Sequence, residues 1–363
     1  MEKHVTVFTG TYTEPGYRGK GEGIYSCSLD LESGSLALTQ KVLDVANPSY
    51  IACDPARERL YCVNELREYK GKPSGAVTAF SVERNTHLLK KLNSQASEGM
   101  DPCHIIVAGS GRHALVSNYS SGSVCVLPIA PDGRLGKAVQ LIRHKGTSIN
   151  KKRQTGPHVH SLFFDPEQRY AFACDLGIDR LVTYRYDGDA SEPLNLVEER
   201  GVSIKPGAGP RHCSFHPSGK YCYLINELDS TIEVLRYHSA DGRFMLLQIV
   251  SALPEASAAA NLCAAIRVSP DGKFLYASNR GHDSIIVYRI DRDTGLLTYV
   301  VCEPSGGRTP RDFIVDPSGT FLLVANQDSD KVAVFRIDAG SGKLAKISEI
   351  GIPTPVCIRA YIS

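Results

Sequence analysis

The sequence predicts an all-β fold, a seven-bladed β-propeller built from four-stranded antiparallel blades. Two observations predict it: a unit of about fifty residues recurs along the chain, and each end of the chain carries only part of one unit. Units of this length that form four strands and repeat radially are typical of β-propellers. We therefore expect residues 1–363 to form a single seven-bladed domain.

The repeated unit is a proline, a short apolar run, a turn with Asp-Pro or His-Pro, and a second apolar run that ends in Asn. Copies read NPSYIACDPARERLYCVNEL from Asn47, GPRHCSFHPSGKYCYLINELDSTIEVLRY from Gly209 and TPRDFIVDPSGTFLLVANQDSDKVAVFRI from Thr309. The residue that ends the second run serves as a marker, at spacings of 47 to 57 residues, and the markers are Asn64, Asn118, Asp175, Asn226, Asn279 and Asn326. The runs are short and rich in Val, Ile, Tyr and Phe, which favours strands. Only LPEASAAANLCAAI, from Leu253, is mildly helix-like.

A seventh copy is split between the two ends of the chain. The C-terminal segment 356–362, within PVCIRAYIS, supplies the innermost strand, and residues 4–29 supply the next two. A blade shared in this way closes the ring and removes exposed strand edges. The alternative, a pair of β-sandwich domains, does not explain a pattern that keeps its spacing along the whole chain.

The composition excludes several classes of protein. A net charge of +2 gives no sign of binding to nucleic acid or to an anionic membrane surface. No apolar stretch approaches the roughly 18 residues that span a bilayer, and the N-terminal MEKHVTVFTGTY has no apolar core of a signal peptide. The eleven cysteines, an odd number without a C-x-x-C pair, indicate free thiols in a reducing compartment. We expect a cytoplasmic protein that is a monomer or a weak homodimer.

Two sets of positions in the repeat carry polar and charged residues. Six residues before the turn proline lie Ser49, His160, Arg211, Ala264 and Arg311, and at the end of the second run or just beyond it lie Glu65, Tyr119, Asp175, Glu227, Arg280 and Gln327. The first strand begins where the antiparallel second strand ends, so both sets are expected on one rim of a central channel. The arginines at these positions break the pattern of the repeat. Because like charges repel, an anionic ligand is the simplest reason for them.

Each of these residues also has a structural explanation. A single Arg or His at the start of a strand is more often a salt-bridging or capping group, and the marker Asn residues suit turn backbones. The KKR run at 151–153 is most simply a solvated loop. In GPHVHSLFFDP, His158 and His160 alternate on a strand, which two metal ligands can do. No acidic or Cys residues accompany them at suitable spacing, so we expect no metal and no cofactor.

The chain resembles the propeller-type lactonase family, whose members are mostly named 6-phosphogluconolactonase, over almost its whole length. The most specific stretches are INKKRQTGPHVHSLFFDPEQRYAFACDLGIDRLVTYRY, GAGPRHCSFHPSGKYCYLINELDSTIEV, SPDGKFLYASNRGHDSIIVYRID and TPRDFIVDPSGTFLLVANQDSDKVAVFRID. The family also includes a fungal enzyme that closes carboxymuconate to a lactone, with a His, two Arg and a Glu as its proposed active-site groups. By motif these match His158 or His160, Arg211, Glu227 and Arg280. One departure is INKKRQ, where many relatives have a proline after the Asn.

The resemblance implies hydrolysis of 6-phospho-D-glucono-1,5-lactone to 6-phosphogluconate in the pentose phosphate pathway. Ester hydrolysis needs a base for water and donors for the oxyanion. His160 is expected to be the base, since it lies in register with Arg211, and His158 is its orienter or the alternative base. Arginines such as Arg211 and Arg280 hold anions, and Glu227 orients a histidine or acts as the base. The expected substrate-binding residues are Arg311, Gln327, Asp175, His212 and Glu65.

Two other functions stay open from the residues alone. A cycloisomerase acting on a muconate-like dicarboxylate would use the same cations for carboxylates and one acid–base group for proton transfer. A non-catalytic propeller would bind a partner through its rim. Binding rims usually expose aromatic anchors, and the sequence contains no Trp, which argues against the non-catalytic propeller.

Overall fold

The computed structural model describes residues 3–254 and 260–362, whose regular structure consists of β-strands and four short 3-10 helices. Within these two ranges there is no α-helix. The mildly helix-like stretch from Leu253 has residues 255–259 outside the described part, and its end belongs to a strand, Leu262–Val268. The strands form seven sheets; six of them have four strands, and the seventh has a fifth, short strand beside its four. The fold is the expected seven-bladed β-propeller with four-stranded antiparallel blades.

Two compact units make up the described chain. Unit 1 comprises residues 3–43, 212–238, 244–254 and 260–362, and unit 2 comprises residues 44–211 and 239–243. The expectation of one domain over residues 1–363 stays a prediction.

Unit 1 contains four sheets, apart from the first residues of two strands that begin in unit 2. Sheet by sheet, the strands are β1 (His4–Thr11), β2 (Ile24–Asp30), β3 (Leu36–Val42) and β29 (Pro355–Tyr361); β17 (Pro210–Phe215), β18 (Tyr221–Asn226), β19 (Thr231–His238) and β20 (Arg243–Ser251); β21 (Leu262–Val268), β22 (Phe274–Arg280), β23 (Ser284–Ile290) and β24 (Leu297–Pro304); and β25 (Pro310–Val315), β26 (Phe321–Asn326), β27 (Lys331–Ile337) and β28 (Leu344–Gly351). Short 3-10 helices at Pro15–Tyr17 and Gln327–Ser329 lie in its loops.

Unit 2 contains the other three sheets. Their strands are β4 (Tyr50–Asp54), β5 (Arg59–Asn64), β6 (Ala76–Val82) and β7 (Leu89–Ala96); β8 (Pro102–Val107), β9 (His113–Asn118), β10 (Ser123–Pro128) and β11 (Gln140–Arg143); and β12 (Val159–Phe164), β13 (Tyr170–Asp175), β14 (Arg180–Tyr186) and β15 (Leu194–Leu196), with a short β16 (Val202–Ser203) that also pairs with β14. The 3-10 helices here are Pro55–Arg57 and Glu198–Arg200.

The sheet that joins the chain ends has the order β29-β1-β2-β3, which confirms the split seventh blade. Thr6 pairs with Tyr361 and Thr9 with Ile358. A buried ion cluster also holds β29 in place, because Asp312 accepts hydrogen bonds from Arg359 Nη1 at 2.6 Å and from Arg267 Nη2 at 2.9 Å. Burial alone would raise the pKa of Asp312, but the charges of Arg359 and Arg267 outweigh it and hold that pKa below its usual range.

The strand sequences reflect their place in each sheet. Four of the second strands are buried along their whole length, and FLLVAN in β26 is an example that reads as an apolar run; the others are β9, β13 and β18. The outermost strands are more exposed, and LAKISEIG in β28 also carries charges. Turns between the first and second strands are capped locally: Asp316 Oδ1 accepts the N–H of Phe321 at 2.6 Å, and Asp165 Oδ1 accepts the N–H of Tyr170 at 2.8 Å.

All eleven cysteines lie in the described part, and none of them forms a disulfide. Burial raises the pKa of the Cys27 thiol to about 11, which keeps it protonated and unreactive near neutral pH. In residues 3–254 and 260–362, no helix is long and apolar enough to cross a membrane.

Candidate active site

Four of the marker residues bind the backbone that leads into their own sheet. The acceptors are carbonyl oxygens before the first strand, at 2.7 to 3.0 Å from the side-chain Nδ2, in the pairs Asn64–Ala46, Asn118–Ser97, Asn279–Ala252 and Asn326–Ser305. These Asn residues are therefore structural. Their contacts fix the backbone next to the candidate residues that follow each marker.

The position six residues before the turn proline is a β-bulge in the sheets that carry His160 and Arg311. In unit 2, Val159 pairs with Asp175 and Ser161 with Cys174, so His160 is the extra residue of its strand. In unit 1, Arg311 lies between the paired residues Pro310 and Asp312 and is the extra residue in the same way. Bulges re-aim a side chain and are common beside active sites.

Cys103 occupies the same bulge position in β8, between Pro102 and His104. The repeat pattern does not reveal Cys103 because this copy has lost its turn proline, although Cys103 still lies six residues before Gly109. The buried Cys103 thiol donates to the carbonyl oxygen of His160 at 3.2 Å, and its Sγ lies 4.0 Å from His160 Nδ1. A thiol therefore adjoins one of the two predicted catalytic histidines.

His158 is half-buried, and its ring has a defined hydrogen bond. Its Nδ1 lies 3.0 Å from the carbonyl oxygen of Tyr119. A carbonyl only accepts, so Nδ1 carries the proton and the neutral ring has its lone pair on Nε2. The ring stacks on the Tyr119 ring at 4.5 Å between centroids, and His160 meets the edge of the same ring at 5.5 Å. Tyr119 thus joins the two histidines into one cluster.

Arg153 belongs to this cluster and was not predicted. Its Nη2 donates to the Tyr119 hydroxyl at 3.1 Å, and its side chain is half-buried. The interpretation of residues 151–153 as a solvated loop holds for the exposed Lys151 and Lys152 and is wrong for Arg153. The repeat could not reveal it, since it lies in a loop that the other copies lack.

Asp175 is fully buried, and both of its carboxylate oxygens are engaged by the protein. Oδ1 accepts the backbone N–H of His158 at 2.8 Å and that of Gly177 at 3.0 Å, while Oδ2 accepts Nδ1 of His144 at 2.6 Å. The carbonyl oxygen of His158 accepts the N–H of Leu176 at 2.9 Å. Asp175 therefore holds the backbone of His158 from the adjacent strand.

Arg211 and Glu65 are the other predicted residues in unit 2. Arg211 is the second residue of β17 and is buried, and its carbonyl oxygen accepts the hydroxyl of Ser161 at 2.7 Å. Glu65 is also buried, and its N–H and C=O both bond to Asn47, at 3.0 and 2.9 Å. Both side chains are thus carried by fixed backbone.

Glu227 and Arg280 form the polar centre of unit 1. Arg280 Nη2 donates to Glu227 Oε2 at 2.6 Å and to the carbonyl oxygen of Cys263 at 2.9 Å, and the two side chains are 13% and 4% exposed for Arg280 and Glu227. Arg280 Nε also donates to the carbonyl oxygen of Leu262 at 3.3 Å. A guanidinium held at three points needs little reorganisation to bind an anion.

The remaining predicted residues of unit 1 are Arg311, His212 and Gln327. The Arg311 guanidinium lies over the Tyr12 ring, 5.3 Å from its centroid, and is half-buried. His212 is buried in β17. Gln327 begins a 3-10 helix directly after β26, and its Oε1 is buried with no hydrogen-bond partner among the described residues.

The structure therefore assembles the predicted residues in two sets. Unit 2 brings His158 and His160 together with Tyr119, Arg153 and Cys103, and unit 1 brings Glu227 together with Arg280. Within residues 3–254 and 260–362, no group of three or more His, Cys, Asp or Glu side chains is arranged to hold a metal ion.

A histidine with a defined tautomer and a fixed carboxylate–guanidinium pair supply groups that acid–base chemistry and anion binding require. The chain belongs to the family described as "Lactonase, 7-bladed beta-propeller", whose family model matches residues 6–360. A Bacillus subtilis protein named 6-phosphogluconolactonase is 37% identical over 360 residues, 99% of both chains. A Formosa agariphila protein of the same name is 36% identical over 312 residues, 85% of this chain and 86% of its own. The solved structure of a periplasmic gluconolactonase from Pseudomonas aeruginosa has a TM-score of 0.92 at 33% identity and 99% coverage of both chains.

Proposed function

We propose that the protein is a lactone hydrolase that converts 6-phospho-D-glucono-1,5-lactone and water to 6-phosphogluconate, as in the pentose phosphate pathway. The observation that carries this proposal is the similarity to the B. subtilis protein named 6-phosphogluconolactonase, at 37% identity over 99% of both chains. The cycloisomerase and the non-catalytic propeller are then outcomes that an assay has to exclude.

His158 is the base that the contacts favour. Its Nδ1–H is held by the carbonyl oxygen of Tyr119, so the Nε2 lone pair is available to take a proton from water. The water oxygen attacks the lactone carbonyl carbon, the carbonyl oxygen becomes an oxyanion, and the ring oxygen then leaves with the proton that Nε2 returns. The strand register favoured His160 instead, and His160 keeps the role of alternative base beside the same tyrosine.

Arginines supply the anion-binding groups in this proposal. Arg280 is oriented by Glu227, so we assign it the oxyanion or the phosphate, and we assign Glu227 the task of positioning Arg280. In unit 2, Arg211 and the half-buried Arg153 are the candidates for phosphate oxygens. Arg311, Gln327, His212 and Glu65 stay predicted substrate-binding residues, and Asp175 becomes a positioning residue because its oxygens are engaged.

We also propose that the protein acts in the cytoplasm as a monomer or weak homodimer. The support is the set of eleven free cysteines, which a reducing compartment preserves. Fractionation of the source cells, and light scattering of the purified protein, test the two statements. A disulfide-bonded protein recovered from an extracytoplasmic fraction contradicts the first.

The assay compares three substrates with the same enzyme preparation. Freshly prepared 6-phosphogluconolactone is expected to be hydrolysed well above its spontaneous rate, and glucono-1,5-lactone, which lacks the phosphate, with a kcat/KM lower by about 100-fold because the arginine contacts are lost. Carboxymuconate is expected to remain unchanged. Cyclisation of carboxymuconate without lactone hydrolysis would instead establish the cycloisomerase, and no turnover of any substrate would leave the binding propeller.

A further inference from the structure

The marker residue of the sheet whose first strand directly follows His158 is an aspartate, whereas the other five markers are asparagines. Asn118, for example, donates to the carbonyl oxygen of Ser97, the residue directly after β7. A carboxylate cannot donate, so Asp175 needs a donor at the corresponding place. His144, the residue directly after β11, is that donor. An Asn–carbonyl contact has thus been replaced by an Asp–His contact in this sheet.

The Asp–His contact extends into a buried chain of hydrogen bonds. Because Asp175 Oδ2 accepts from Nδ1 of His144, the Nε2 atom of His144 is the acceptor for the Tyr184 hydroxyl that it contacts. The His144 side chain is 5% exposed, and Tyr184 and Asp175 are fully buried. Burial, reinforced by the charge of Asp175, raises the pKa of Tyr184, so its hydroxyl keeps the proton that it donates. Each ring nitrogen of His144 therefore has one defined partner.

This chain of hydrogen bonds ends at the backbone of His158. The other oxygen of Asp175 holds the His158 N–H at 2.8 Å, and Leu176, the next residue, holds the His158 carbonyl oxygen at 2.9 Å. The approach is so close that a Cβ on Gly177 would lie 2.7 Å from His158 N. A shift of the Asp175 carboxylate therefore moves the His158 backbone and, with it, the ring that bonds to Tyr119.

We infer that His144 is a positioning residue for His158 and acts through Asp175; this rests on the proposed function of His158 as the base. His144 itself touches no substrate. Without its imidazole, Asp175 Oδ2 loses its donor, the carboxylate turns, and His158 Nε2 leaves the position from which it takes the proton of water. Misplacement of a reacting group by about 1 Å can cost about 100-fold in rate.

The test uses three variants and two measurements. His144→Ala removes the donor, and His144→Asn keeps an N–H at the place of Nδ1. His113→Ala is the matched control, since His113 is also a buried histidine of unit 2 whose Nδ1 contacts a tyrosine hydroxyl, that of Tyr186, at 3.0 Å. The measurements are kcat and KM on 6-phosphogluconolactone, and the 15N chemical shifts of the His158 ring, assigned by their loss in His158→Gln.

His144→Ala is expected to lower kcat by about 100-fold, to leave KM within about 2-fold, and to shift the His158 ring resonances. His144→Asn should restore about 10-fold of the lost rate, and His113→Ala should change neither kcat nor the His158 resonances. If His144→Ala does not fold, Tyr184→Phe removes the outer bond of the chain, and a smaller change of the same kind is expected.

Two results overturn the inference while the proposed function stands. One is a wild-type position of the His158 resonances in folded His144→Ala, and the other is an equal loss of kcat in His113→Ala. If the wild-type protein does not hydrolyse the lactone, the proposed function fails, and the His158 resonances still decide whether His144 positions this ring.

Discussion

Glu227 and Arg280 form an ion pair of 2.6 Å between side chains that are almost wholly buried, in loops and strands of adjacent repeats of unit 1. Two backbone carbonyl oxygens, those of Leu262 and Cys263, also accept from the same guanidinium. The arrangement leaves Arg280 one orientation. Its loss should therefore be felt in both turnover and stability.

Replacing Arg280 by Gln is expected to lower kcat by about 100- to 1000-fold, the usual loss for one fixed donor to an oxyanion. Because it leaves the buried Glu227 carboxylate without its guanidinium, the free energy of unfolding should fall by about 3–5 kcal/mol. Lactone assays and urea unfolding measure the two effects. Lys331→Ala, which breaks the exposed ion pair with Glu349, is the control and should change little. Wild-type turnover in Arg280→Gln would place the anion site elsewhere.

His158→Gln is expected to lower kcat by about 100- to 10,000-fold, because it removes the base. His160→Gln should cost less, since that ring meets Tyr119 only at its edge. The reverse order of effects would make His160 the base, as the strand register favoured.

Glu233 should make stability decline as the pH rises. Burial raises its pKa from 4.5 to about 7, although a hydrogen bond from Asn226 lowers it somewhat. A carboxyl with a raised pKa in the folded state stabilises the fold below its unfolded pKa, and this contribution is lost as the pH rises through about 7. The free energy of unfolding of Glu233→Gln should thus exceed that of wild type by on the order of 3 kcal/mol at pH 8 and by little at pH 4.

The Gln side chain suits this site because its amide N–H can donate a hydrogen bond. The acceptor is Asn226 Oδ1, which is buried and has no hydrogen-bond partner in the described part of the chain. Urea unfolding at the two pH values measures the difference. The Glu32→Gln variant is the control, because Glu32 is exposed and its replacement should change stability little. Equal stability of wild type and Glu233→Gln at both pH values would show that folding does not raise the pKa of Glu233.

Deleting residues 356–363 is expected to prevent folding. The deletion removes most of β29, which pairs with β1 from Thr6 to Thr11, and it leaves Asp312 without Arg359. Loss of the cooperative melting transition in circular dichroism is the expected result. Deletion of residues 362–363 spares the strand and should leave melting unchanged. A soluble product of the longer deletion with native melting would contradict the split blade as a requirement for folding.

Exhaustive chelation is expected to leave full lactonase activity. Nδ1 of His158 is already engaged by Tyr119, and no metal-binding group of three acidic, His or Cys side chains occurs in residues 3–254 and 260–362. Activity is measured after dialysis against EDTA and again after addition of divalent ions. Loss that only a metal restores would make His158 and His160 ligands after all.

The fold was predictable because each repeat solves the same local problem in the same way. The Asp or Ser before the turn proline caps the turn, and Asn326 or its equivalent ties the incoming chain, so these residues recur at fixed spacing. The candidate site was predictable only where it followed the repeat. Glu227 and Arg280 both come directly after a marker, so the spacing placed them correctly but gave no sign of their ion pair.

Residues outside the repeat could not be found in this way. Arg153 and His144 lie in a loop whose path depends on tertiary contacts with Tyr119 and Tyr184. Cys103 was missed for another reason: its copy lacks the turn proline from which the bulge position is counted, although the bulge itself is present. The one local signal for the His144 contact was the aspartate among five asparagines, and only the folded structure shows that His144 is its partner.

The pairing of β1 with β29 determines how the molecule resists mechanical force. Thr6 pairs with Tyr361 and Thr11 with Pro355. The first residues of β1 and the last residues of β29 therefore lie at the same end of this strand pair. The hydrogen bonds between antiparallel strands run perpendicular to the strands. A force that pulls these two ends apart therefore acts along the hydrogen bonds and breaks them one after another, starting at that end. Sequential rupture needs far less force than shearing all rungs together. Under tension the blade that contains β29 and β1 should therefore unzip at low load, before the six blades whose strands are continuous in the chain.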